Sequence, residues 1–109
     1  MAQYLLLFVG LVANPGAADA VTTDYNQQWE RYMGDLGRQG KLRAGAPLEP
    51  RGEVVARDRV DDLELQRMDV GGFLVIETAS EAEAIEIAGQ APHASLGGTT
   101  IVRPCVARS

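Results

Sequence analysis

Two segments of this chain, Gln3 to Val9 and Phe73 to Thr78, are rich in aliphatic, β-branched and aromatic residues and are apolar on both sides. In an extended strand successive side chains point to opposite faces. Tyr4, Leu6 and Phe8 therefore oppose Leu5, Leu7 and Val9, and Phe73 and Val75 oppose Leu74 and Ile76. A sheet covered by helices on one face alone alternates apolar with polar residues. These strands do not alternate, so both are expected at the centre of a sheet that is covered twice.

The second of them opens a run, Gly71 to Pro104, that reads strand, helix, loop and strand. Ser80 is placed to cap the helix, and Glu83 three residues on matches the capping-box spacing, in which hydroxyl and carboxylate each satisfy a free amide. Gly89 supplies a stop, because a left-handed C-terminal residue meets no side-chain penalty at glycine. After the loop Gln90 to Gly98, which carries the single histidine of the chain, Thr99 to Val106 is again β-like.

The first half repeats this order. Gln3 to Val9 is a strand and Gly10 to Val21 a loop. From Thr23, Tyr25, Trp29, Tyr32, Met33 and Leu36 share one face of a helix that Asp24 starts and Gly40 ends. Gly34 and Gly37 each cost that helix roughly 1 kcal/mol relative to alanine, so tertiary packing has to hold it. Leu42 to Leu48 reads as a strand with Leu42, Ala44, Ala46 and Leu48 on one side. Pro50, Arg51 and Gly52 mark a turn, and the charge-rich stretch Glu53 to Asp69 is a hairpin or an irregular excursion. Two split units in series predict an α+β fold, a ferredoxin-like βαββαβ sandwich with the excursion between its second and third major strands. The 109 residues make one domain.

Two coverings are open to the second sheet face. A second copy, sheet against sheet about a two-fold axis, gives a homodimer and a dimeric α+β barrel. The other covering is the excursion, which has few apolar residues to offer. An exposed face with four or five large aliphatics exceeds the patches that monomers tolerate. At roughly 25 cal/mol per Å², covering on the order of 1,600 Å² represents tens of kcal/mol of gross transfer energy, so the homodimer is the expectation.

Fifteen acidic residues against ten basic ones, a net charge of −5, argue against nucleic acid and against anionic membranes. Leu5 to Ala13 with Ala17, Ala18 and Ala20 has the outline of a secretory signal, but the first 20 residues hold no Lys or Arg. The apolar run is also too short to span a bilayer. One cysteine, Cys105, makes no internal disulfide, and it reads as a small buried residue of the last strand. The expected location is cytoplasmic.

The single histidine, His93, is the candidate general acid or base, since imidazole exchanges protons near neutral pH and Pro92 restricts the loop that presents it. A surface or hydrogen-bonded histidine is the plainer alternative. Arg103 offers a two-pronged anchor for an anionic substrate group, or else pairs with a carboxylate. Trp29, Tyr25 and Tyr32 either line an apolar pocket for an aromatic ligand or pack the core. Asp58, Asp61 and Asp62 are carboxylates that the excursion brings to His93, or a solvated charge run. No metal is expected, for want of nitrogen and sulfur ligands, and no cofactor, because Gly97-Gly98 lacks the spacing and lysine of a phosphate loop.

Gly71-Gly72-Phe73, Ser80 to Ala88, Ala91-Pro92-His93 and Gly97 to Pro104, with Trp29, Met33, Leu36, Gly40, Gly45 and Leu48 in the first half, resemble the YCII-related family in its DGPF-domain branch. The resemblance covers nearly the whole chain and implies the dimeric barrel. It also implies small-molecule chemistry, including removal of halide from chlorinated aromatics, by a histidine of the first helix and an aspartate before the loop proline. This chain has no histidine in that helix, Ala91 in the aspartate's place, and Val60-Asp61-Asp62-Leu63-Glu64 where the motif that names the branch would fall. Only His93 carries over, by its Pro-His match. Three readings follow: a lyase, isomerase or hydrolase acting on a small aromatic or anionic molecule, a non-catalytic small-ligand binder, and an accessory dimer whose excursion contacts another protein.

Overall fold

The computed structural model describes residues 1–10, 19–49, 51–63 and 70–107. Strands β1 (Ala2–Val9), β2 (Leu42–Pro47), β5 (Val70–Thr78) and β6 (Thr99–Pro104) form one antiparallel sheet in the order β2-β5-β1-β6. Helices α1 (Asp19–Arg38) and α2 (Glu81–Gly89) complete the ferredoxin-like α+β order. The two strands that are apolar on both sides are the two central ones.

Pairing register fixes the two faces. Tyr4 lies opposite Ile76, and Leu6 opposite both Leu74 and Val102. These residues, with Phe8, form one core against Leu36 of α1, Ala84, Ile87 and Ala88 of α2, and Ala91. Trp29, Tyr32 and Met33 pack against it, so the aromatic face read from the helical period is the face that docks. Tyr32 locks the helices together by donating its hydroxyl to the Ile87 carbonyl at 2.7 Å.

The other face carries Leu5 opposite Val75 and Leu7 opposite Phe73 and Ile101. Leu5, Leu7, Phe73 and Val75 are only half-buried, and Ile101 is exposed. The described part of the excursion is a two-stranded hairpin, β3 (Glu53–Ala56) and β4 (Arg59–Asp62), with no ladder to the sheet among the described residues. Every residue of β3 and β4 is exposed, so the described part of the excursion does not cover this face.

Several expected boundaries move. Helix α1 begins at Asp19, inside the segment read as a loop to Val21, and Asp24 lies within it, accepting a hydrogen bond from Gln28 at 2.9 Å instead of marking its start. The rest of that loop, residues 11–18, lies outside the described residues, as do Pro50 and residues 64–69. Strand β2 has an irregularity between Leu42 and Ala44, the two flanking residues pairing with the adjacent Ile76 and Val75. The skipped residue, Arg43, pairs with Glu77 at 2.6 Å, and Leu42 and Ala44 fall on opposite faces, not on one.

Gly40 closes α1 with φ 72°, as expected of a glycine stop. Gly89 does not act that way. Helix α2 ends on Gln90 in the right-handed region, and the left-handed glycine of this half is Gly97, φ 88°, after a 3₁₀ turn at Pro92–Leu96 inside the stretch read as a loop. At the start of α2, Ser80 Oγ accepts from the Glu83 amide at 3.2 Å. The Glu83 carboxylate pairs with Lys41 at 2.6 Å, and this partner holds it below the usual carboxylate range. Cys105 follows β6 and is exposed, not a buried strand residue. No described helix is long and apolar enough to cross a membrane.

Candidate functional site

Pro92 opens the 3₁₀ turn, where its fixed φ is already that of the turn, and the next residue, His93, enters the core. Its side chain is 2 % exposed. The imidazole Nε2 lies 2.7 Å from the carbonyl oxygen of Thr99. A carbonyl can only accept, so Nε2 carries a hydrogen, which in a neutral imidazole leaves Nδ1 as the acceptor nitrogen. No hydrogen-bond partner reaches Nδ1 among the described residues.

The ring is held by aromatic contacts on the helix-covered side of the sheet. Phe8 of β1 stands edge-on to it at 5.0 Å between centroids, and Trp29 of α1 lies tilted at 6.2 Å. Trp29 in turn meets Phe8 at 4.9 Å, Tyr32 at 5.6 Å and Tyr25 at 6.1 Å, each pair edge-to-face. Gly98 approaches so closely that a Cβ there would stand 2.3 Å from His93 Cδ2. Its missing side chain is therefore a condition for the ring's position.

Burial pushes the Tyr32 hydroxyl well above the usual tyrosine range. Tyr25 is also raised by burial, with the Trp29 side chain, hydrogen-bonded to it, pulling the other way. Both phenols therefore stay protonated as the pH rises past the ordinary tyrosine value, with the Tyr32 hydroxyl already committed to the Ile87 carbonyl.

Of the residues singled out from sequence, His93, Trp29, Tyr32 and Tyr25 come together in one aromatic group. Arg103 does not join them. It pairs in register with Leu5, whereas Thr100 pairs with Phe8, so Arg103 is on the opposite face of the sheet from His93, and it is exposed. Asp58, Asp61 and Asp62 are exposed on the hairpin, where Asp61 pairs with Arg59 at 3.1 Å. Among the described residues no three His, Cys, Asp or Glu side chains are grouped to hold a metal ion.

Phe8, Thr99, Thr100 and Gly98 are the parts of this site that sequence reasoning missed. The alternation that puts Phe8 on the Tyr4–Leu6 side did indicate its face. Nothing in the sequence indicated that the Pro-His turn folds back onto it.

No family model and no curated protein matches the chain. Among solved structures it is similar to the 5-chloro-2-hydroxyhydroquinone dehydrochlorinase TftG from Burkholderia phenoliruptrix AC1100, in its complex with 2,5-dihydroxybenzoquinone. The identity is 21 %, the TM-score 0.59, and the match covers 97 % of this chain and 95 % of that one. The likeness establishes the architecture: the chain is a ferredoxin-like α+β domain laid out, over nearly its whole length, like that dehydrochlorinase.

Proposed function

We propose that this protein is a small-molecule enzyme of the lyase type, related to the YCII family, that binds a hydroxylated aromatic ring against Phe8 and Trp29 and uses His93 as its base. The carrying observation is the unpartnered Nδ1 of a buried imidazole whose other nitrogen is fixed by the Thr99 carbonyl. A base needs its lone pair aimed and free, and a backbone carbonyl sets the tautomer as well as a carboxylate does. That supplies an orienting partner in a chain that has Ala91 where the aspartate of the family pattern would stand. The aromatic surroundings suit a flat ring, and the architecture shared with an enzyme that acts on a chlorinated hydroxyhydroquinone supports the substrate class.

For a chlorinated hydroquinone the chemistry balances without an oxidant. His93 takes a hydroxyl proton and returns it to the carbon bearing chlorine, giving the keto form. It then takes a second hydroxyl proton, whose O–H pair becomes a carbonyl as chloride leaves with the C–Cl pair. The net change is loss of HCl and formation of a quinone.

The functional unit we propose is a homodimer, in which Leu5, Leu7, Phe73, Val75 and Ile101 of one copy cover those of the other. A cytoplasmic location suits the single exposed thiol of Cys105. Chloride release from 5-chloro-2-hydroxyhydroquinone, followed for the wild type and for His93→Gln, tests the reading. Release by the wild type and a loss of at least ~100-fold in the variant are expected. Equal rates would overturn His93 as base. Saturable binding without turnover would leave the second reading, a ligand-binding protein, which the absence of a carboxylate on His93 among the described residues favours.

A further inference from the structure

Two buried polar side-chain atoms have no hydrogen-bond partner among the described residues: His93 Nδ1 and Thr100 Oγ1. Buried polar atoms are almost always paired, because an unmade bond costs a folded chain free energy that water would have supplied. Both of these fall in the same part of the molecule. Thr100 lies opposite Phe8 in the β1–β6 register, and the Phe8 ring is edge-on to His93. Thr99, whose carbonyl takes the Nε2 hydrogen, is the residue before Thr100. Imidazole and Thr100 thus both neighbour Phe8 on the covered side of the sheet, away from Arg103.

The two atoms differ in what they can do. Nδ1 of this tautomer only accepts, while a threonine hydroxyl donates as well. Resting on the function proposed above, we infer that His93 and Thr100 together read two adjacent oxygens on the ring ligand, one a hydroxyl that donates to Nδ1 and the other a carbonyl or phenolate oxygen that accepts from Thr100. The ligand class is therefore the ring with a hydroxyl next to an oxo group, as in hydroxyquinones and catechol monoanions. A ligand with one hydroxyl satisfies His93 and leaves Thr100 unpaired, which is how a site built to hydrogen-bond a substrate rejects its analogue.

Thr100→Val keeps the shape and the β-branched character a strand favours but removes the hydroxyl, and Thr100→Ser keeps the hydroxyl. The probes are 2,5-dihydroxybenzoquinone and phenol, with affinities read from the fluorescence of Trp29. Without ligand, Thr100→Val should melt higher than the wild type by about 2–5 °C, since it removes an unsatisfied buried group. It should bind dihydroxybenzoquinone at least ~10-fold more weakly and phenol within about 2-fold of the wild type, with Thr100→Ser close to the wild type for both. A lower melting temperature for Thr100→Val, or undiminished dihydroxybenzoquinone binding, overturns the inference. If that binding depends on His93 but ignores Thr100, the inference falls and the proposed function stands; if the wild type binds neither probe, the proposed function falls with it.

Discussion

The Nε2–H of His93 donates to the carbonyl oxygen of Thr99 across 2.7 Å, and this bond ties the 3₁₀ turn to the first residue of the last strand. It fixes the imidazole edge-on to Phe8 and decides which nitrogen is left with a lone pair. Long-range proton–nitrogen NMR spectra of the neutral imidazole should show a single tautomer, with Nε2 carrying the hydrogen and Nδ1 bare. A tautomer mixture, or a hydrogen on Nδ1, would contradict the arrangement.

Two glycines should respond in opposite directions to alanine. Gly37, on α1, has nothing within 4 Å of an added Cβ, so Gly37→Ala should stabilise the protein by up to ~1 kcal/mol. Gly98→Ala drives a Cβ into the buried His93 ring and should destabilise it by about 1–3 kcal/mol, with a changed His93 resonance. Denaturant melts of the two variants measure both. A neutral Gly98→Ala would mean that the ring is not confined as described.

Tyr32 couples the two helices and carries a pH signature. Its folded-state hydroxyl is raised above the ordinary value of 10.0, so the stability linked to it is present below that pH and lost as the pH rises beyond it. Tyr32→Phe should lower stability at neutral pH by about 1 kcal/mol through the lost bond to the Ile87 carbonyl. It should also flatten the alkaline limb of a stability profile. An unchanged alkaline limb would show that Tyr32 titrates like an exposed phenol.

The apolar sheet face predicts association. Light scattering at micromolar concentration should give twice the chain mass, and Leu7→Glu, at the centre of that face opposite Phe73 and Ile101, should shift it to the single-chain mass. A stable wild-type monomer would contradict the dimer.

Much of this architecture was legible because packing writes itself into side-chain period. Strands apolar on both sides belong at the centre of the sheet, and Tyr25, Trp29, Tyr32, Met33 and Leu36 at helical spacing gave the docking face of α1. What stayed hidden depends on contacts between distant segments. The irregularity at Arg43 breaks the alternation of β2 without any turn residue to announce it. The start of α1 at Asp19 lies among small residues with no apolar period. His93 looks like a loop residue in a stretch of small and polar neighbours, and only the return of β6 beside β1 buries it against Phe8 and gives Gly98 its reason. Arg103 has the guanidinium that a two-pronged anchor for an anionic substrate group needs, but the two-residue alternation of β6 sends it to the face opposite His93.

The proposed chemistry requires His93 to offer its acceptor nitrogen to a ring hydroxyl, and Trp29, its ring centroid 6.2 Å away and the single tryptophan of the chain, is placed to report it. Titrating 2,5-dihydroxybenzoquinone into the protein while following tryptophan fluorescence, with His93→Phe as the comparison, measures this directly. Saturable quenching in the wild type, with affinity at least ~10-fold weaker in His93→Phe, is the predicted result. Equal affinity in both proteins, with both folded by circular dichroism, would contradict it.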